Sequence, residues 1–412
     1  MTVIQHGRGG SPGEAIDGIT PRLVAEPTSG EACAAVLAAA AAGRVPTVMR
    51  GSGTKSGWGR PLDAVDLVVS TKSLNNLLVH RDGDLTVTVG AGVTLARLNT
   101  VLSARGQWLP VDSAFGSTTV GGALATNDSG PLRQRFGTPR DLLIGITLAL
   151  TDGRVVKSGG TVVKNVAGYD LGKLVTGSYG ALAAIVDATF KLLPLPHASA
   201  TLRAVYTDPE PLAADAAAIA AGQLEPMAFD VRAADTPDGL RWTMLVRFAS
   251  SPAAVAAQLD AARTLVHGET SAMREGIETR AWAEQVALAW EAPSTSLGAS
   301  DAVVRCSWLP SRLGEVLALA RALRADCGMA FTGRIGAGSG LLRLAGGDHT
   351  VAAAIEQLRL DSSPVGHVVV LRGSRVLRSL VDVWGTAPSA PAAALKRALD
   401  PAGILNAGRG PL

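Results

Sequence analysis

Three stretches of small residues in the first half of the chain constrain it most. They are residues 51–59 (GSGTKSGWG), 116–130 (GSTTVGGALATNDSG) and 159–180 (GGTVVKNVAGYDLGKLVTGSYG). Glycine lets a backbone approach an oxygen closely, because no Cβ stands in the way. Serine and threonine add hydrogen-bond donors without charge. Several such loops in one half can converge on a single large ligand with a pyrophosphate in its middle. That composition suits a dinucleotide laid across a domain better than a catalytic triad.

The first loop alone fits neither familiar phosphate-binding pattern. A P-loop needs Gly-Lys-Ser/Thr, and here Thr54 precedes Lys55. A Rossmann turn needs G-x-G-x-x-G opening a helix. Here Gly51, Gly53 and Gly57 are spaced one residue too long, and Trp58, Gly59 and Pro61 oppose a helix start. On its own the loop reads equally well as plain surface.

With 412 residues the chain is long enough for two or three domains. Its 47% hydrophobic and 18% charged residues mark it as globular, and a net charge of +3 gives no reason to expect nucleic acid. Cys33, Cys306 and Cys327 form no C-x-x-C pair, which argues against a disulfide framework, zinc or an iron–sulfur cluster held by this chain, and fits a cytoplasmic setting. The six histidines are scattered. The apolar runs ACAAVLAAAAA and LLIGITLAL are too short to span a bilayer. Residues 1–20 lack a signal-peptide core and read as a mobile tail.

After the tail, LVAEP is a strand. Thr28 and Glu31 have capping-box spacing ahead of a helix whose Cys33, Val36, Leu37 and Ala40 share a face. VPTVM delivers the chain into the first glycine-rich loop. A strand (DLVVST), a hairpin over 77–90, the helix TLARLNTVLSARG, a long small-residue loop and a second hairpin over 142–159 follow. From residue 198 two rounds of strands and amphipathic helices suggest an antiparallel sheet with helices on one face. The expected division is a tail (1–20), a ligand-binding domain (21–197), a second domain (198–375) and a returning C-terminal segment (376–412).

Taken together, VMRGSGTKSG, LTVTVGAGVTLARLNTVLSARGQWLPVD, TTVGGALATNDSG, GGTVVKNVAGYDLGKLVTGSYGALAAIV and LDPAGILNAGRG resemble, in order, the FAD-binding domain of the vanillyl-alcohol oxidase / p-cresol methylhydroxylase family. The phrase VVKNVAGYDLGKL and the short second domain are most similar to the bacterial glycolate oxidase FAD-binding subunit. The resemblance implies an α+β chain: a two-subdomain FAD-binding domain of the p-cresol methylhydroxylase type plus an antiparallel-sheet cap domain. It implies that Arg50, Gly51, Ser52, Gly53, Thr54, Lys55 and Ser56 wrap the FAD pyrophosphate, largely through backbone N–H groups. Asp112, Thr118, Thr119, Gly121 and Gly122 would pass along the phosphates and ribityl chain. Thr126, Asn127 and Gly130 would approach the flavin, Ile185 the adenine or ribose side, and Asn406 the isoalloxazine. Neither of the first two loops contains His or Cys, so non-covalent FAD is expected. The resemblance further implies a second flavoprotein subunit and an iron–sulfur subunit as partners, a small 2-hydroxy acid substrate, and inner-membrane attachment only through partners.

The chain departs from the active 2-hydroxy-acid dehydrogenases of this family where TGRIGAGSGLLRLAGG replaces a His-rich Gly-Asp-Gly-Asn type motif, so no metal is expected. Oxidising a hydroxy acid needs a base, a cation to clamp the carboxylate and the flavin. Arg334 and Arg372 are candidate clamps, with surface arginines at strand ends as the bland alternative. His367 is a candidate base, with a strand histidine in a satisfied hydrogen bond as its alternative. Lys164 would favour reduced flavin or make a structural ion pair. Trp58, Trp108 and Trp384 read as packing. Three functions stay open: a subunit of a glycolate or 2-hydroxy-acid dehydrogenase, a non-catalytic flavin-binding scaffold or electron relay, and a stand-alone flavin oxidase with another substrate.

Overall fold

The computed structural model describes residues 7–161, 168–236, 239–290 and 300–412. They fold as two units. The first comprises Met1–Ser129, Phe136–Leu195 and Thr386–Leu412; the second comprises Gly130–Arg135 and Pro196–Gly385.

The first unit begins with β1 (Arg8–Gly9), β2 (Leu23–Ala25), α1 (Gly30–Ala42), β3 (Thr47–Arg50) and β4 (Leu67–Ser70). These strands make a sheet in the order β1-β2-β4-β3, with β2, β4 and β3 parallel. Next come β5 (Leu77–Arg81), β6 (Thr86–Gly90), α2 (Leu95–Ser103), β7 (Gln107–Trp108), α3 (Val120–Thr126), α4 (Arg133–Phe136), α5 (Pro139–Leu142), β8 (Leu143–Ala149), β9 (Val155–Gly159), α6 (Leu171–Val175), β10 (Ala184–Lys191) and β11 (Leu193–Pro194). The second sheet is antiparallel, in the order β5-β6-β10-β8-β9. Between the sheets lies α1, whose small residues suit a helix with an apolar neighbour on either side. Cys33, Ala34, Leu37 and Ala40 share a core with Leu67 and Val69 of β4 and with Ala149, Ala184 and Val186 of the second sheet. The side chain that caps α1 is Ser29, accepting from Ala32 N at 3.1 Å, and not Thr28.

Two further expectations change. Residues 8–20 are not a mobile tail: β1 pairs with β2, and Ile16 is buried with Val24, Val48, Leu62, Val65 and Val68. An apolar residue that fills a core and a strand that finds a partner hold the segment down. The long small-residue loop also contains a helix, α3. Its N-cap Thr119 accepts from Gly122 N at 3.2 Å, and a Cβ on Gly121 would lie 2.9 Å from the Ala91 side chain. Glycine is there for close packing, not for looseness.

The second unit contains β12 (Ala198–Tyr206), α7 (Pro209–Ala221), β13 (Ala228–Thr236), β14 (Gly239–Ser250), α8 (Pro252–Thr264), β15 (Glu269–Met273), α9 (Glu275–Ala287), β16 (Ser300–Trp308), α10 (Leu313–Leu323), β17 (Gly328–Arg334), β18 (Ser339–Gly346), α11 (Asp348–Leu358), β19 (Val365–Arg372) and α12 (Leu377–Leu380). Its eight strands form one antiparallel sheet, β15-β12-β14-β13-β17-β18-β16-β19. Strand β15 and helix α9 are additions to the sequence reading. Side chains alternate between faces along a strand. Tyr206 of β12 donates to Asp215 of α7 at 2.8 Å, whereas Ser199 and Thr201 donate to Glu278 of α9 at 2.6 and 2.7 Å. Helix α9 therefore lies on the face opposite α7. The chain ends in the first unit with α13 (Ala390–Leu399) and a loop that bridges β3 at Thr47 and Leu405.

Candidate cofactor site

The first unit carries a cleft of about 600 Å³, open to solvent, at the end of β3. The strand supplies Val48, Met49 and Arg50, and the chain then turns through Gly51–Ser56 along the rim. Thr119, Gly122, Ala125 and Thr126 of the α3 region form another wall, with Tyr179 and Gly180 beside them and Asn406 and Arg409 from the C-terminal loop. A second hollow of about 380 Å³ shares Met49, Arg50, Gly51, Gly122, Ala125 and Gly180 and continues to Thr71, Gly121, Ala183 and Ile185. The two form one long groove.

Close backbone approach explains the glycines. A Cβ on Gly51 would sit 2.2 Å from Thr119 Oγ1, and one on Gly180, at φ +70°, would sit 3.0 Å from Asn406 Nδ2. The C-terminal loop is stitched in by Thr47 N to Ile404 O and by Asn406 N to Thr47 O, both 2.9 Å, and by Asn406 Nδ2 donating to Tyr179 O. Lys396 Nζ donates to Ala181 O and Leu405 O at 2.8 Å, while Asp400 accepts from Ile404 N and Leu405 N at 3.2 and 2.8 Å. Burial lowers the Lys396 pKa, against the pull of Asp400.

Most of the residues implied by the resemblance gather here: Arg50 to Ser56, Thr119, Gly121, Gly122, Thr126, Ile185 and Asn406 line the groove. Thr118 is buried one layer behind, while Asp112, Asn127 and Gly130 are not among the lining residues. Lys164 lies outside the described residues. Lys55 turns its ammonium inward, 3.0 Å from both Asp128 Oδ2 and Thr118 Oγ1 and over the rings of Trp58 and Phe115. The ammonium is thus paired within the protein and is not turned to the groove. Sequence reading missed Tyr179 and Arg409, although both lie within stretches it singled out.

In the second unit, Arg334 is buried and directly opposite Asp230 in register. Arg372 donates to Trp290 O at 2.9 Å and stacks over the Trp290 ring. His367 lies in β19, paired with Ser307, and partial burial followed by the charges of Arg305 and Arg359 lowers its pKa. Arg305, half-buried, pairs in register with Leu341 and with Val369, two residues along β19 from His367, and makes no ion pair or hydrogen bond among the described residues. No three His, Cys, Asp or Glu side chains group as a metal site among the described residues.

Residues 21–159 match the FAD binding domain family. This part of the chain is a FAD-binding domain. The chain is 33% identical over 207 residues to glycolate oxidase subunit GlcD of Bacillus subtilis, covering 50% of this chain and 44% of that protein. It is 34% identical over 186 residues to glycolate oxidase subunit GlcE of Escherichia coli, covering 45% and 51%. It is 36% identical over 172 residues to a D-lactate dehydrogenase of Archaeoglobus fulgidus, covering 42% and 39%. The matches thus span about half the length of these relatives or less. Among solved structures, alkyldihydroxyacetonephosphate synthase shares the fold, with a TM-score of 0.69 over 94% of this chain and 77% of that one at 14% identity. The fold is that of the p-cresol methylhydroxylase type, and the cofactor is FAD.

The groove fits that cofactor. Arg50 Nη2 donates to Gly13 O at 3.2 Å, but its Nε and Nη1 are buried without a hydrogen-bond partner among the described residues, as is Asn406 Oδ1. Buried polar atoms are costly unless bonded. An uncompensated guanidinium beside a glycine-rich backbone suits a diphosphate. No helix among the described residues is long and apolar enough to cross a membrane.

Proposed function

We propose that the chain is an FAD-dependent oxidoreductase for a small 2-hydroxy acid and the FAD-binding subunit of a glycolate oxidase-type complex. The observation that carries the reading is the groove of the FAD-binding domain, lined by glycine backbone and by the buried, unpartnered Arg50 nitrogens. Names of the relatives, glycolate oxidase subunits and D-lactate dehydrogenase, support the substrate class. Backbone N–H groups of Gly51–Lys55 and the Arg50 guanidinium would hold the pyrophosphate, and residues toward Ile185 the adenosine end. Non-covalent binding is the reading favoured by the first two glycine-rich loops, neither of which contains His or Cys.

When bound, FAD would supply the hydride acceptor for oxidation of the carbinol carbon. The chain must clamp the carboxylate and take the hydroxyl proton. Within the second unit, Arg334 stands opposite a buried acid and Arg372 is bound to Trp290, and Arg305 is a further candidate cation. Arg305 has no competing carboxylate among the described residues and neighbours His367 across the register. The candidate base is His367 of the second unit, whose pKa is lowered by partial burial and then by Arg305 and Arg359.

Anaerobic titration of the FAD-loaded protein with glycolate and D-lactate, alone and with its partner subunits, tests this. Bleaching of the flavin bands is expected. Arg305→Met should raise KM more than it lowers kcat, and His367→Asn should lower kcat. Flavin that stays oxidised under every condition, yet is reduced by dithionite, would leave an FAD protein without this chemistry.

A further inference from the structure

The loop 51–59 contains no helix or strand to fix its peptide planes. It is held by Arg409, a residue at the margin of the cleft and 353 positions from Ser56 in sequence. Arg409 Nη1 donates to the carbonyls of Ser56 and, at 2.8 Å, Trp58, while Nη2 donates to Asp17 Oδ2 at 2.5 Å. The Arg409 and Asp17 side chains are 5% and 1% exposed. Asp17 Oδ2 also accepts from Leu62 N at 3.1 Å, just beyond the loop. The Arg409 backbone takes part as well: its carbonyl accepts from Arg60 N at 3.2 Å, and a Cβ on Gly59, at φ +88°, would lie 2.6 Å from that oxygen.

Peptide groups are planar, so fixing a carbonyl fixes the N–H on the other side of the same bond. Two carbonyls held by one guanidinium set the Ser56–Gly57 and Trp58–Gly59 planes, so Arg409 pins the far end of the loop while the Lys55–Asp128 pair anchors its middle, and the stretch Gly51–Lys55 is shaped between those anchors and β3. Asp17 pairs with the buried guanidinium, and a lysine lacks the fork that reaches several acceptors at once. We propose that Asp17 and Arg409 are positioning residues for FAD: together they hold the glycine-rich loop in the shape that presents its N–H groups to the pyrophosphate. The segment before β2 and the last residues of the chain thereby act on cofactor affinity.

The test is FAD affinity of the full chain after cofactor removal, read from flavin fluorescence, beside thermal melting of the same FAD-free samples. Asp17→Asn and Arg409→Met should each weaken FAD binding by about 10- to 100-fold, the scale for losing a residue that supports a binding group. The double variant should be scarcely worse than either single one, because both remove the same device. If either variant fails to fold, Arg409→Lys carries the test: the pairing with Asp17 survives, the carbonyl fork does not, and FAD should still bind more weakly. Folded variants with wild-type affinity would overturn the proposal. So would losses that add independently in the double variant, or a fall in melting temperature with no change in affinity.

Discussion

At the scale of the residue, the lysine of the glycine-rich loop is the instructive case. A cation in such a loop suggests a phosphate ligand, yet Lys55 is paired with Asp128, which Ser113 also supports at 2.6 Å. Removing one partner of a buried pair strands the other charge. Lys55→Met should therefore destabilise the FAD-free protein by about 3 kcal/mol in urea unfolding. A variant with unchanged stability but lost FAD binding would instead return the charge to the phosphate. His367 makes a second residue-scale prediction. Its folded pKa lies below the usual 6.5, so the unfolded chain binds the extra proton first. Its contribution to stability is present above pH 6.5 and is lost as pH falls through the folded value. Melting temperatures at pH 7.5 and 5.0 should show a smaller acid-induced drop in His367→Gln than in the parent protein.

At the scale of the element, pattern reading located helices better than it located their ends. The capping-box spacing of Thr28 and Glu31 pointed to the start of α1, but the backbone enters the helix one residue later and Ser29 makes the bond. Ser29→Ala should cost about 1 kcal/mol and Thr28→Ala much less, measured by chemical denaturation. An equal cost at both positions would contradict the observed cap. Helix α3 was hidden for a different reason. Its two glycines count against a helix in propensity, and packing on Ala91 selects one of them, Gly121. Strand β15 and α9 lack strong periodicity, and their places depend on β12 and on the buried Glu278 cluster.

At the scale of the whole molecule, the first unit is not a contiguous piece of chain. The family match ends at residue 159, but β10 (Ala184–Lys191) is the central strand between β6 and β8. A fragment ending at Gly159 would leave two inner strand edges unpaired and should aggregate, seen in size-exclusion chromatography, whereas the full chain should not. A soluble, folded fragment of that length would show that β10 is dispensable. Glycine-rich loops and alternating apolar runs leave local signatures, so sequence alone pointed to a dinucleotide and to most strands, and the resemblance carried by five motifs in order implied FAD and most of the residues that line the groove. It also placed Asn406 near the site, through the terminal motif. Only the tertiary structure decided that Lys55 faces inward, that Arg334 stands opposite Asp230, that Arg305 neighbours His367, and that Asp17 meets Arg409. These are pairings between residues distant along the chain, and no local pattern of types or spacings encodes which side chain a folded backbone will set against another.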